Sequence, residues 1–329
     1  MNLLTTETSD RHTNATPAID VTALVKRYGD TLALDAFDLT VPYGTVCGLL
    51  GPNGAGKTTA VRILSTLLQP DSGRAKVAGL DVVTHPVQVR YRIGLTGQLP
   101  AVEDRLTGRE NLELFARFYR FSRTAARNRA AELLERFDLV EAADRPPRDY
   151  SGGMRRRLDL AISFVMAPPV LFLDEPTTGM DPGHRQEVWN AMRALVAEGT
   201  TVVLTTHYLD EADQLADALT VVDHGRVIAR GTPDDLKSAI GGDRVDVIVD
   251  EADIAYVSEL LTRSTGTIPQ VTPTARRVTV TANDRVGTLA QVARTLDDDG
   301  VAVHDVSLRR PTLDDVFAHF TRNIPDSRS

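Results

Sequence analysis

The run Gly51-Pro52-Asn53-Gly54-Ala55-Gly56-Lys57-Thr58 follows the pattern G-x-x-x-x-G-K-[ST], and Thr59 extends it. Its glycines let consecutive backbone N–H groups turn toward phosphate oxygens, and a following helix adds the favourable end of its dipole. In such a cradle Lys57 reaches the β- and γ-phosphates, and the Thr58 hydroxyl binds Mg2+. A purely structural glycine turn is the competing reading. It fits less well, because the run sits between the apolar segment Thr45-Val46-Cys47-Gly48-Leu49-Leu50 and a helical pattern. The residues predict a bound nucleoside triphosphate.

Downstream, Val170-Leu171-Phe172-Leu173-Asp174-Glu175 is an apolar strand that ends in two carboxylates. Asp174 suits a hard cation, directly or through water. Glu175, one residue on, is placed to polarise an attacking water, which points to hydrolysis rather than passive binding. The bland alternative is a strand end decorated with surface acids.

These residues need a scaffold. From about residue 18 to 240, short β-branched runs alternate with helical patterns, and each run ends at polar or glycine-rich residues. That order predicts an α/β core with largely parallel strands. Residues 106–143 interrupt it with a purely helical pattern. There Thr107-Gly108-Arg109-Glu110 has capping-box spacing, and Leu112, Phe115, Ala116 and Tyr119 share a face. A helical insert is expected over about 104–148.

After Gly241-Gly242 the texture changes, and a small α+β domain is expected over 241–322. Its strands read as 245–249, 278–281 and 301–303, with helices at 252–261 and 286–296. Leu313, Val316, Phe317 and Phe320 fall at helical spacing and predict a last helix that docks on something apolar. Residues 1–17 read as a disordered tail, and 323–329 as a short C-terminal tail.

The chain carries 37 Lys plus Arg against 45 Asp plus Glu, a formal charge of −8, so broad electrostatic binding to nucleic acid is not expected. A single cysteine, Cys47, excludes an intramolecular disulfide and a Cys-based zinc site, and it reads as buried packing. No stretch is long and apolar enough to span a bilayer, and no signal-peptide core is present, so any membrane role is expected to be peripheral.

Tyr150-Ser151-Gly152-Gly153-Met154-Arg155-Arg156-Arg157, shortly before Asp174-Glu175, resembles the signature motif of ATP-binding cassette (ABC) ATPases. The resemblance covers about residues 19–231 and implies an α/β P-loop NTPase fold: an ABC ATPase core with its helical subdomain. It also implies roles residue by residue. Tyr28 resembles the aromatic that stacks on adenine, although a lone aromatic could instead pack at the sheet edge. Gln98 resembles the glutamine that touches Mg2+ and couples to a membrane partner. Asp181 resembles the loop aspartate that communicates across a dimer, and His207 the histidine that holds the γ-phosphate. Ser151, Gly152 and Gly153 before a helix form a second phosphate-binding N-terminus. In this family that second cradle closes over ATP held by the opposite subunit, which implies a homodimer with two ATPs between its faces. Met154 stands where the family commonly has glutamine. The arginine run 155–157 reads as a solvated helix face.

The ending Ser307-Leu308-Arg309-Arg310-Pro311-Thr312-Leu313-Asp314-Asp315-Val316-Phe317 resembles that of the daunorubicin/doxorubicin-resistance exporter ATPases. This resemblance implies an ATP- and Mg2+-dependent ATPase at the cytoplasmic face of the cell membrane. It would power efflux of a hydrophobic, anthracycline-like or lipid-like compound through an integral membrane permease encoded separately. The alternative is a cytosolic ABC ATPase of DNA repair or translation. Such relatives usually carry two cassettes or a long coiled-coil insertion, and only about 50 residues separate Gln98 from Ser151 here. Residues 243–310 could also form a ligand-sensing module that regulates the ATPase.

Overall fold

The computed structural model describes residues 16–97 and 101–322. The expected tails at 1–17 and 323–329, apart from residues 16 and 17, and the candidate Gln98 lie outside the described residues. The chain divides into two compact units. The first holds the residues up to Cys47, Gly54–Thr205 and His224–Arg226; the second holds Gly48–Asn53, Thr206–Asp223 and the chain from Val227 on.

In the first unit, β1 (Ile19–Tyr28) pairs antiparallel with β2 (Thr31–Val41), with Ile19 opposite Val41 and Val21 opposite Leu39. The buried strand β3 (Val46–Leu50), whose residues from Gly48 on belong to the second unit, leads through the glycine loop into α1 (Lys57–Leu64). Then β4 (Ser72–Val77) joins the other side of β1, and the short β5 (Leu80–Asp81) completes a four-stranded antiparallel sheet. This sheet carries Tyr28 at the exit of β1.

The one-turn helix α2 (Pro86–Arg90) precedes β6 (Ile93–Thr96). Three helices follow: α3 (Gly108–Phe118), α4 (Arg123–Arg136) and α5 (Gly152–Ser163). The capping box forms as its spacing predicts: Glu110 N–H donates to the Thr107 hydroxyl at 3.2 Å, and Thr107 N–H donates to Glu110 at 2.8 Å. Beyond them, β7 (Val170–Asp174), α6 (Pro182–Ala197) and β8 (Thr201–Thr206) alternate. Strands β6, β7 and β8 run parallel, with Asp174 opposite Thr205. Every residue of β7 and β8 is buried. Parallel strands covered on both faces select continuous apolar runs, which is why Val170–Leu173 has no polar alternation.

After Gly48–Asn53, the second unit continues with α7 (Leu209–Leu215), β9 (Ala218–Asp223), most of β10 (Arg226–Gly231) and α8 (Pro233–Ala239). A small antiparallel sheet follows. Its elements run β11 (Asp243–Val249), α9 (Ile254–Thr265), β12 (Gln270–Thr272), β13 (Arg277–Ala282), α10 (Arg285–Asp298) and β14 (Val303–Arg309), in spatial strand order β12-β13-β11-β14. This β-α-β-β-α-β order is the ferredoxin-like arrangement. One face packs Val245, Val247, Val278 and Val280 against Val257, Leu261, Val292 and Leu296 of the two helices.

Three details depart from the sequence reading. Four of the strands expected to be largely parallel, β1, β2, β4 and β5, pair antiparallel, because the two-residue turn between β1 and β2 permits only that direction. The strand expected at 301–303 begins only at Val303 and runs to Arg309, because just Val306 and Leu308 of its side chains pack on the core and the period-2 signal is dilute. The short β12 was not expected at all. The last helix, α11 (Leu313–Arg322), docks as predicted. Leu313 and Val316 bury against Ala212, Leu219, Val221 and Leu236, with Phe317 and Phe320 alongside. Each large apolar side chain so buried contributes roughly 1.5–3 kcal/mol.

Candidate active site

The phosphate loop turns where β3 ends. Gly56 caps α1 with φ +106°, a left-handed conformation that favours glycine. A Cβ there would lie 2.5 Å from the Ala33 carbonyl oxygen, so the loop also needs the missing side chain for space. The next residue, Lys57, is only 6% exposed. Burial pulls its ammonium pKa below the ordinary lysine value, against the opposing pull of Glu175 and Asp174. A desolvated cation of this kind gains most from a phosphate anion.

Thr58 Oγ1 donates to Asp174 Oδ1 at 3.4 Å. Asp174 in turn accepts from the Thr205 hydroxyl, and that same hydroxyl accepts Glu175 N–H at 3.1 Å. Thr205 thereby sets the aspartate oxygen and the backbone of the glutamate together. Glu175 itself sits at φ +52°, in the left-handed region that a non-glycine residue rarely adopts. Such a conformation persists only where its surroundings enforce it, here two hydrogen bonds to Thr205, the other from Glu175 N–H to the Thr205 carbonyl at 3.0 Å.

Whether these residues suit Mg2+ can be judged from the donor set. The ion prefers oxygen ligands and is usually held by one or two protein groups plus phosphate and water. Thr58 and Asp174 supply two adjacent oxygens, and no cluster of three His, Cys, Asp or Glu side chains that could hold a metal occurs among the described residues. The pair fits an ion that shares its remaining ligands with a nucleotide.

A second group assembles where α5 and α6 begin. Ser151 caps α5, its hydroxyl accepting Met154 N–H at 3.2 Å. A Cβ on Gly152 would meet nothing within 4 Å, so that backbone is open to approach, whereas Gly153 packs against His184. Asp181 caps α6 by accepting from Gly183 N–H at 3.1 Å and His184 N–H at 3.2 Å, and it also binds His184 Nδ1. Its hydrogen bond to the ring raises the His184 pKa above the ordinary value and holds that of Asp181 below it.

The arginine run is not the solvated face expected of it. Arg156 is 9% exposed. Its Nε donates to the Pro176 carbonyl at 2.7 Å, and its Nη1 to Asp159 at 2.8 Å and to the Gly97 carbonyl at 3.2 Å. It ties the signature helix to the residue beside Gln98 and to the turn after Glu175. A cavity of about 370 Å3 is lined by Gly152, Arg155, Arg156, Asp159, Glu175 and Thr178, so the signature and Glu175 face one space.

Tyr28 is 46% exposed, with Lys26 Nζ 5.9 Å from its ring centroid, and is not packed away at the sheet edge. Gly51, Pro52 and Asn53 belong to the second unit, and Gly54, Ala55 and Thr59 to the first. His207 follows β8 in the second unit, its ring centroid 4.3 Å from that of Tyr208. Thr205, Arg156 and His184 were missed in the sequence. Only the Arg156–Asp159 spacing, three residues apart on one helix, was a usable signal.

A family model described as ABC transporter matches residues 34–178. A second, the C-terminal domain of ATP-binding proteins like DrrA1-3, matches residues 231–321. The chain is 60% identical to the daunorubicin resistance ATP-binding protein DrrA2 of Streptomyces coeruleorubidus, over 92% of this chain and 95% of that one. It is 49% identical to the daunorubicin/doxorubicin resistance ATP-binding protein DrrA of Streptomyces peucetius, over 97% and 96%. Among solved structures, CbiO1 of Clostridium perfringens, part of an ABC transporter complex, superposes with TM-score 0.64 and 27% identity, covering 76% of this chain and 97% of that one. The dimeric ATP-binding cassette MJ0796 bound to ADP and Pi gives TM-score 0.58 at 26% identity, covering 65% and 98%. The chain therefore belongs to the ATP-binding subunits of ABC transporters, in the branch of the daunorubicin/doxorubicin-resistance ATPases.

Proposed function

We propose that the chain is the ATP-hydrolysing subunit of an exporter for a hydrophobic, anthracycline-like or lipid-like compound, working on a separate membrane permease from the cytoplasmic face of the membrane. The observation that carries this reading is the 60% identity to a daunorubicin resistance protein over 92% of the chain. No helix among the described residues is long and apolar enough to cross a membrane, which accords with a translocation path built by another chain.

Two copies close head to tail around two ATPs. In each site Lys57 and the N–H groups of residues 51–59 hold the phosphates, and Tyr28 stacks on adenine. Thr58 and Asp174, together with Gln98, would hold Mg2+, which when bound would neutralise phosphate charge. Glu175 accepts the proton of the attacking water, and His207 holds the γ-phosphate. Ser151, Gly152 and Gly153 of the opposite copy close the site, and Asp181 links the two. Hydrolysis reopens the dimer, and the helical segment 104–148 with Gln98 passes the motion to the permease.

The test is an affinity purification of the tagged chain from gently solubilised native membranes, with ATP present. A stoichiometric multi-helix membrane protein in the eluate supports the transporter reading. Recovery with ribosomes or DNA-repair proteins and no membrane protein overturns it and favours the cytosolic alternative.

A further inference from the structure

The second unit's small sheet has two unlike faces. One is sealed by α9 and α10. The other carries charge, most of it matched. Arg309 Nε donates to Asp246 Oδ2 at 2.7 Å, and its guanidinium also binds Asp315 of α11. Thr279 Oγ1 donates to Asp246 Oδ1 at 2.7 Å.

Arg244 is the exception. It is only 7% exposed, yet just one of its nitrogens is engaged: Nη1 donates to the carbonyl oxygens of Gly241 and Gly242, each at 2.8 Å, and of Asp243 at 3.3 Å. Nε and Nη2 make no hydrogen bond or ion pair among the described residues, and neither is among the fully sealed polar atoms. Carbonyl oxygens satisfy donors without neutralising charge. The guanidiniums of Arg244, Arg277 and Arg309 stand against the carboxylates of Asp246 and Asp315, which leaves one positive charge in excess. Asp243 does not balance it, being paired with Arg285.

Arg244 lines a cavity of about 240 Å3. Thr279, Thr281, Gln270 and His319 give it a largely polar lining, and Ile268, Pro269 and Ala318 supply its smaller apolar part. Asp315 also borders it, with its charge committed to Arg309.

We infer that this cavity binds a small carboxylate, held side-on by the free Nε–H and Nη2–H of Arg244, with a short apolar tail against Pro269 and Ala318. A planar carboxylate matches one guanidinium edge in a bidentate pair, and a single negative charge cancels the single excess positive one. The space equals about eight water molecules at ~30 Å3 each and is below the ~300 Å3 of drug-sized sites, so its ligand is not the transported compound. The ligand would contact both the sheet and α11 and so favour the docked helix. The site would act as an effector site on the ATPase subunit.

The test uses the full-length chain labelled with 15N-arginine, in which the Nε–H resonance of Arg244 is assigned by its loss in Arg244→Lys. Propionate is titrated against chloride at equal ionic strength. The expected result is a saturable shift with propionate only. Saturation transfer to propionate should be weakened at least about tenfold in Arg244→Lys. It should also be lost in Thr281→Trp, which fills the cavity and leaves the buried arginine in place. The inference is overturned by no saturable shift, by an equal shift with chloride, or by undiminished binding in Thr281→Trp. A response to inorganic phosphate without one to propionate overturns it as well.

Discussion

Replacing Arg309 by methionine removes the one side chain that pairs both Asp246 and Asp315, whose carboxylates are 5% and 6% exposed. Breaking a buried pair by deleting one partner costs about 3–5 kcal/mol, because it strands a charge. Each carboxylate keeps some help: Asp246 the Thr279 hydroxyl at 2.7 Å and Arg277 Nε at 3.6 Å, Asp315 the Thr312 N–H at 2.8 Å. We therefore take the lower end, about 3 kcal/mol, or roughly a 150-fold loss of protection at ~1.4 kcal/mol per decade. The assay is native-state hydrogen exchange of the α11 amides of Val316 and Phe317, with α1 as internal control.

The pH dependence makes this test sharper. Burial alone would raise the Asp315 pKa, but hydrogen bonds from Arg309 and Thr312 hold it below the ordinary aspartate value of 3.8. A depressed pKa contributes stability that is present above the unfolded value and lost only as pH falls through the folded one, so parent α11 protection should be flat from pH 7 to 4.5. Without Arg309, burial dominates and the pKa rises. Protection, corrected for intrinsic exchange, should then increase as pH falls over that window. A change under about threefold in Arg309→Met, or an unchanged pH profile, would refute the claim that this network anchors α11.

Other outcomes follow from the site. Thr205→Val removes the hydroxyl that serves both Asp174 and Glu175 N–H; turnover should fall at least tenfold, by ~1.5 kcal/mol or more, with a raised Mg2+ requirement in steady-state assays, and Thr205→Ser should restore both. Gly153→Ala places a Cβ 2.6 Å from His184 Cδ2, in a ring that Asp181 holds still; denaturant unfolding should show a loss of about 1–3 kcal/mol, partly recovered by adding His184→Ala, which leaves the Glu187 carboxylate at 3.0 Å. The His184 pKa is raised, so the ion pair with Asp181 is complete below the ordinary value of 6.5 and lost as pH rises through the higher folded value. NMR titration of His184 should place its midpoint above 6.5, and Asp181→Asn should lower it.

Much of the site was legible because its chemistry demands residue types at short spacing. A phosphate loop cannot be built without Gly56 at positive φ beside Lys57, and β7 cannot be buried on both faces without its unbroken apolar run. Long-range partners left no such trace. Thr205 reads as one more β-branched residue of β8, and only the pairing of β7 with β8 puts it opposite Asp174. Arg156 looked solvated because two of its acceptors are the carbonyls of Gly97 and Pro176, and carbonyls carry no sequence signal. The charged face of the small sheet was hidden likewise: Arg244, Asp246 and Arg309 sit in strands whose apolar residues mark only the opposite face.

Glu175 is the group proposed to activate water between two chains closed on ATP. Sedimentation of Glu175→Gln with ATP and Mg2+, alongside a turnover assay of the same sample, tests it most directly. The expected result is an ATP-retaining dimer that does not turn over. A variant that stays monomeric in ATP and hydrolyses it at the parent rate would contradict it.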